Sequence, residues 1–168
     1  MSMKERLSRL SVEIGRVLEA KCLTLVTVES CTGGWIGQCL TSVVGSSAWY
    51  ERGLVTYSNQ AKTELVGVPV DLIAKHGAVS EPVVQAMARG ALDRSTADLA
   101  LAVTGIAGPD GGSMEKPVGT VWLCWRARTG VERTEDFFFT GDREAVREKS
   151  VLEALDGLSR FALEVSPK

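Results

Sequence analysis

A single histidine, His76, is all that 168 residues contain, and this scarcity removes most histidine-based chemistry. A catalytic metal site built on histidines is excluded by count. Any Ser–His or Cys–His mechanism would have to use His76, which sits in Ala74-Lys75-His76-Gly77 and reads as a helix end, where a histidine compensates the dipole. The four cysteines (Cys22, Cys31, Cys39, Cys124) form no C-x-x-C pair, which argues against structural zinc and against a disulfide framework. No run of lysines or arginines is present. With 19 basic and 21 acidic residues the formal charge is −2, so the basic stripe that nucleic acid requires is missing. The apolar runs stop short of the roughly 20 residues that span a bilayer, and Met1 to Leu10 is charged rather than signal-like. The expectation is a soluble cytoplasmic protein that binds neither membrane nor nucleic acid.

What is present fits one globular domain over residues 1–168, at 45% hydrophobic and 24% charged residues. Leu7, Leu10, Ile14, Val17 and Leu18 recur at helical spacing and predict an amphipathic helix over Met3 to Ala20. A strand is expected at Leu23 to Val28, a helix at Trp35 to Val44, and a second strand around Glu51 to Tyr57. Two short helices follow, Asn59 to Gly67 and Pro69 to His76. Then comes a longer one capped by Ser80, with Pro82 in its first turn, running to about Ser95. Asp98 to Val103 reads as a central strand. Gly119 to Ala127 and Glu132 to Thr140 flank Thr129-Gly130 as a β-hairpin, and Asp142 caps a last helix, Arg143 to Glu164. This order predicts an α/β sandwich, a mixed sheet with a late antiparallel hairpin, flanked by helices.

The stretch Glu29-Ser30-Cys31-Thr32-Gly33-Gly34 closes the first strand and opens a helix. Ligands gather at the carboxyl ends of strands in open α/β sheets, and a helix start offers unpaired N–H groups and a positive dipole end. Small polar residues also fill turns that have no chemistry. Two further polar segments, Tyr57 to Lys62 and Thr104 to Gly112, follow other strands, so three strand ends can converge. Ser30 needs a base to become nucleophilic, and with histidine scarce a neutral Lys62 is the next candidate. Lowering a lysine from about 10.4 to about 7–8 takes on the order of 3–5 kcal/mol, which burial can supply and a helix dipole can assist. Tyr57 is placed to hold the amine or relay a proton through its hydroxyl. Backbone N–H groups of Thr32, Gly33 and Gly34 would form an oxyanion hole, with Thr104 beside them.

Other readings stay open on the residues alone. The same serine, threonine and glycines could cradle a phosphate with Lys62 as its permanently charged partner, making a non-catalytic nucleotide-binding module. Cys31 is a third candidate nucleophile, although its side chain should point away from that of Ser30. Arg143 and Arg147 are spaced i, i+4 and could hold an anion together, though such a pair is more often a solvated face with Glu144 and Glu148. Asp110 is suited to ribose hydroxyls or simply to its turn.

Seven blocks carry a resemblance to a known family: Glu29 to Gly34 (ESCTGG), Gly45 to Tyr50 (GSSAWY), Gly53 to Lys62 (GLVTYSNQAK), His76 to Pro82 (HGAVSEP), Thr104 to Gly112 (TGIAGPDGG), Lys116 to Val121 (KPVGTV) and Gly141 to Arg147 (GDREAVR). Together they resemble the CinA C-terminal domain family. The resemblance implies hydrolysis of the carboxamide of nicotinamide mononucleotide, giving nicotinic acid mononucleotide and ammonia, with no metal or cofactor. It implies Ser30 as nucleophile, Lys62 as base and Tyr57 as an assisting residue, with Thr104, Gly105 and Arg143 in the substrate pocket. A homo-oligomer is implied as well. Some members carry an additional N-terminal domain resembling molybdopterin-binding proteins, for which this chain has no room.

Overall fold

The first helix, α1 (Met3–Ala20), starts on a reciprocal cap. Ser2 Oγ accepts from the Glu5 N–H at 3.3 Å, and the Glu5 carboxylate accepts from the Ser2 N–H at 2.6 Å. Its apolar stripe buries Leu7, Leu10, Ile14 and Leu18. The chain then runs through β1 (Leu25–Glu29), α2 (Trp35–Thr41), a 3₁₀ turn (Ser46–Ala48), β2 (Tyr50–Val55), α3 (Asn59–Val66), α4 (Val70–His76) and α5 (Glu81–Asp93). It continues with β3 (Leu99–Gly105), β4 (Thr120–Ala127), β5 (Glu132–Phe138) and α6 (Arg143–Glu164). This computed structural model describes residues 1–167.

The strands form one mixed sheet in the order β2-β1-β3-β4-β5. β2, β1 and β3 run parallel, and β4 and β5 are antiparallel. β1 and β3 are central, and their residues are almost entirely buried because helices cover both faces. One layer sets α1, α2 and α6 on a core that includes Leu25, Leu101, Leu123 and Trp125; the other sets α5 with α3 and α4 on Val26, Val28, Ala100 and Ala102. The alternation of consecutive residues between the two cores is the period-2 geometry of a strand. Close approach is built in at glycines: a Cβ on Gly90 would stand 1.7 Å from the Val66 carbonyl oxygen, so α5 and α3 can meet only there as glycine. No described helix is long and apolar enough to cross a membrane.

The fold class, the helices α1 and α6 and the late hairpin agree with expectation; several boundaries move. β1 begins two residues later than expected and includes Glu29. β3 extends through Thr104 and Gly105. α2 stops at Thr41, where the hydroxyls of Thr41 and Ser42 turn back to the carbonyls of Gly37 and Cys39. Ser80 precedes α5 but does not cap it with its side chain, since its Oγ donates to the Gly77 carbonyl at 2.8 Å.

Candidate active site

Register brings the site together. Glu29 stands opposite Val55 on one side and Val103 on the other, so the residues that leave the three parallel strands emerge side by side at one end of the sheet. Ser30, Cys31, Tyr57, Asn59, Lys62, Thr104, Gly105 and Arg143 accordingly share one cavity of about 240 Å³, closed by Ala78, Val79 and Ala107. Wider grooves of about 630 and 700 Å³ run along α1, but they gather no comparable set of reactive groups.

Ser30 is buried, and its N–H still donates to the Val103 carbonyl at 3.1 Å, so its backbone is held by the sheet. Lys62 lies in the first turns of α3, which Ser58 caps through the Ala61 N–H at 3.0 Å. The lysine is only 1% exposed. Its Nζ is 3.1 Å from Ser30 Oγ, 2.8 Å from the Thr56 carbonyl and 3.4 Å from the Tyr57 carbonyl. No carboxylate pairs with it among the described residues. Burial lowers its pKa from the ordinary lysine value.

The helix start differs from expectation. Glu29, buried at the end of β1, fills it: its carboxylate accepts from Thr32 Oγ1 at 2.6 Å and from the N–H groups of Gly34, Ile36 and Gly37 at 2.8–3.1 Å. The Gly33 N–H donates to the Ser30 carbonyl at 3.0 Å. Thr32, Gly33 and Gly34 therefore shape the turn and lie outside the cavity lining, and the amides of Gly33 and Gly34 are not available to an oxyanion. A carboxylate already occupies the site of positive potential. The Thr32 N–H meets no protein acceptor among the described residues but belongs to a residue outside the cavity lining; Cys31 and Gly105, which line it, offer two others. The Cys31 N–H meets no protein carbonyl, carboxylate or hydroxyl among the described residues, and the Gly105 N–H makes no backbone hydrogen bond outside the strand ladder. Ladder alternation turns the Gly105 N–H toward the end of β1, since on the same side the Leu99 N–H reaches the Thr24 carbonyl and the Val103 carbonyl takes Ser30.

Tyr57 meets Lys62 through its backbone carbonyl. Its phenol is 59% exposed and accepts from Arg143 Nη2 at 2.8 Å, so the expected contact between hydroxyl and amine is absent. Arg143 is further held by the Gly108 carbonyl at 2.7 Å. Thr104 lines the cavity, with its hydroxyl donating to the Ala78 carbonyl at 2.9 Å. Cys31 packs into the apolar core as expected of a structural thiol, and burial pushes its pKa up to about 12, which leaves it protonated and a poor nucleophile at neutral pH. A side chain at 105 would meet the Cys31 sulfur at 3.0 Å. Neither His76 nor Asp110 reaches the cavity.

Arg147 is no solvated partner of Glu144. Its Nε donates to the Cys31 carbonyl at 3.0 Å and its Nη2 to the Thr32 carbonyl at 3.2 Å, while the guanidinium lies 5.4 Å from the Trp35 ring centroid. Glu29, Asn59 and this role of Arg147 escaped the sequence reading. Only the places of Glu29 and Asn59 within the polar segments hinted at them.

The model of the CinA C-terminal domain matches residues 7–162. The chain belongs to the CinA C-terminal domain family. Within it, the chain is 53% identical over 152 residues to the nicotinamide-nucleotide amidohydrolase PncC of Escherichia coli strain K12, covering 90% of this chain and 92% of that protein. It is 51% identical over 160 residues to PncC of Pseudomonas putida, covering 94% and 98%. The crystal structure of the competence/damage inducible protein CihA from Agrobacterium tumefaciens has the same fold, with a TM-score of 0.91 at 43% identity over 93% of this chain and 95% of that one. In this CinA domain, then, one serine, one buried lysine and one cavity-facing arginine meet at the ends of three parallel strands.

Proposed function

We propose that this CinA domain, acting as one unit over residues 1–168, hydrolyses the carboxamide of nicotinamide mononucleotide to nicotinic acid mononucleotide and ammonia. The observation that carries the mechanism is the contact between Lys62 Nζ and Ser30 Oγ inside a buried, carboxylate-free setting. A neutral amine has two N–H groups and one lone pair. The carbonyls of Thr56 and Tyr57 can only accept, so they take the two N–H groups. The lone pair is left for the serine O–H.

Ser30 Oγ attacks the carboxamide carbon as its proton passes to Lys62. The oxyanion of the tetrahedral intermediate is received by the N–H groups of Cys31 and Gly105. Lys62 then returns the proton to the departing nitrogen, releasing ammonia and leaving an ester on Ser30. A water, deprotonated by the same amine, adds to that ester, and its collapse restores the serine and releases the acid. Arg143, exposed at the cavity mouth and tethered by Tyr57 and Gly108, pairs with the phosphate. The homo-oligomer implied by family resemblance belongs to the same reading, with sedimentation as its test.

A nucleotide-binding module with Lys62 as phosphate clamp is the competing reading. It needs a charged lysine free to reach ligand, whereas this one is enclosed and already engaged by three protein oxygens. Ammonia release from nicotinamide mononucleotide by wild type, Ser30→Ala and Cys31→Ala, with nucleotide binding measured on all three, separates them. Turnover is expected in wild type and Cys31→Ala, and binding without turnover in Ser30→Ala. A folded wild type that binds and releases no ammonia would establish the module instead.

A further inference from the structure

We infer that Arg147 is a positioning residue for this reaction: by gripping the carbonyls of Cys31 and Thr32 it holds the nucleophile turn so that the Cys31 N–H stays aimed at the oxyanion. The inference rests on the serine amidase reading above.

The turn after β1 is held from two directions. Glu29 takes donors downstream, at Thr32, Gly34, Ile36 and Gly37. Arg147 takes acceptors upstream, at Cys31 and Thr32. Between these grips and the sheet contact of Ser30 lies Cys31, whose amide donates to no protein oxygen among the described residues and which also lines the cavity. The Cys31 N–H shares its peptide plane with the Ser30 carbonyl, which accepts from the Gly33 N–H, and the Gly33 N–H shares its plane with the Thr32 carbonyl bound by Arg147 Nη2, so the grip of Arg147 is passed on to the Cys31 amide.

A guanidinium suits this task, because its planar fork spans two successive carbonyls while its charge lies over the Trp35 ring. A lysine would supply one point charge and no fork. The i, i+4 pair of α6 therefore divides its work: Arg143 lines the cavity mouth, and Arg147 sits behind the turn and outside the cavity lining. The positive charge on the Cys31 and Thr32 carbonyls also polarises their peptides and strengthens the Thr32 and Gly33 N–H donors, the second of which holds the Ser30 carbonyl.

The test compares wild type, Arg147→Met and Arg147→Lys, with Ser30→Ala as the inactive reference. For Arg147→Met the expectation is a kcat lower by about 10²–10³-fold, the range seen when one oxyanion donor is lost, with KM within about threefold. Arg147→Lys should recover part of the rate. In the Ser30→Ala background, adding Arg147→Met should leave substrate binding unchanged. An analogue carrying an aldehyde in place of the carboxamide, which adds reversibly to a serine hydroxyl, should lose affinity in step with kcat. Unchanged kcat in Arg147→Met overturns the inference, as does a rise in KM with lost binding in the Ser30→Ala background. If Arg147→Met does not fold, Arg147→Lys decides alone by the same split between kcat and KM. A wild type without turnover would bring down the amidase reading, and this inference with it; an active wild type with fully active arginine variants would bring down this inference only.

Discussion

Lys62 Nζ stands 3.1 Å from Ser30 Oγ, although 32 positions separate the two residues in the chain. The other oxygens around the amine are backbone carbonyls, held by the end of β2 and the start of α3. The geometry around the lysine is thus set by main chain, and its low exposure favours the uncharged form.

Activity should rise with pH as Lys62 loses its proton. Because burial lowers the Lys62 pKa, the rising limb of kcat/KM is expected below the ordinary lysine value of about 10.4. Lys62→Met should cost about 10²–10⁴-fold in kcat with little change in nucleotide binding. A pH–rate profile with the limb at or above the ordinary lysine value, or a Lys62→Met variant that chiefly loses binding, would count against a neutral base.

The same shift has a stability signature. A lysine whose pKa is lower folded than unfolded leaves the unfolded chain holding more protons between the two values, so stability rises with pH across that window. Below the folded pKa the penalty is present in full, and it fades as pH approaches the unfolded value. Lys62→Met should therefore gain stability relative to wild type at pH 6.5 compared with pH 10. Denaturant titrations of both proteins at the two pH values measure it, and equal differences at both would contradict the shift.

Tyr57→Phe removes the hydroxyl that accepts from Arg143 and leaves the carbonyl that accepts from Lys62. A rise in KM of about 2–10-fold, about 0.5–1.5 kcal/mol, is expected with kcat nearly unchanged. Steady-state kinetics decide the matter: a hundredfold fall in kcat would return the phenol to a role in proton transfer.

Glu29→Gln keeps the shape of a side chain that accepts four hydrogen bonds but turns an NH₂ group toward backbone N–H donors. The expected cost is about 2–4 kcal/mol in unfolding free energy, with a fall in kcat as the turn loosens. Urea unfolding read together with turnover checks it, and a variant of wild-type stability would show that the helix start does not depend on the carboxylate.

Periodicity placed α1 and α6 because Leu7, Leu10 and Ile14, and later Leu152, Leu155 and Leu158, repeat at helical spacing. It also placed β3 as the central strand. The convergence of Ser30, Lys62 and Thr104 was readable because each lies at or just beyond the end of a strand expected in one parallel sheet. The inward fold of Glu29 was not readable. Its contacts reach eight residues along the chain, and nothing in ESCTGG distinguishes a carboxylate that fills a helix start from one that faces a ligand. Arg147 was misjudged for a related reason: i, i+4 spacing with neighbouring glutamates describes a helix surface, and only tertiary packing reveals that this surface faces the turn. The direction of the Tyr57 phenol likewise depends on a partner 86 positions away.

The docking of α6 against the turn after β1 imposes an order in time. A ribosome that has just made Cys31 must add 116 further residues before Arg147 exists to bind its carbonyl. From Lys62 onward, for most of that interval, the growing polypeptide contains both the serine and the lysine. Ser30, the first of the cavity residues to be translated, is thus among the last to acquire its full set of neighbours.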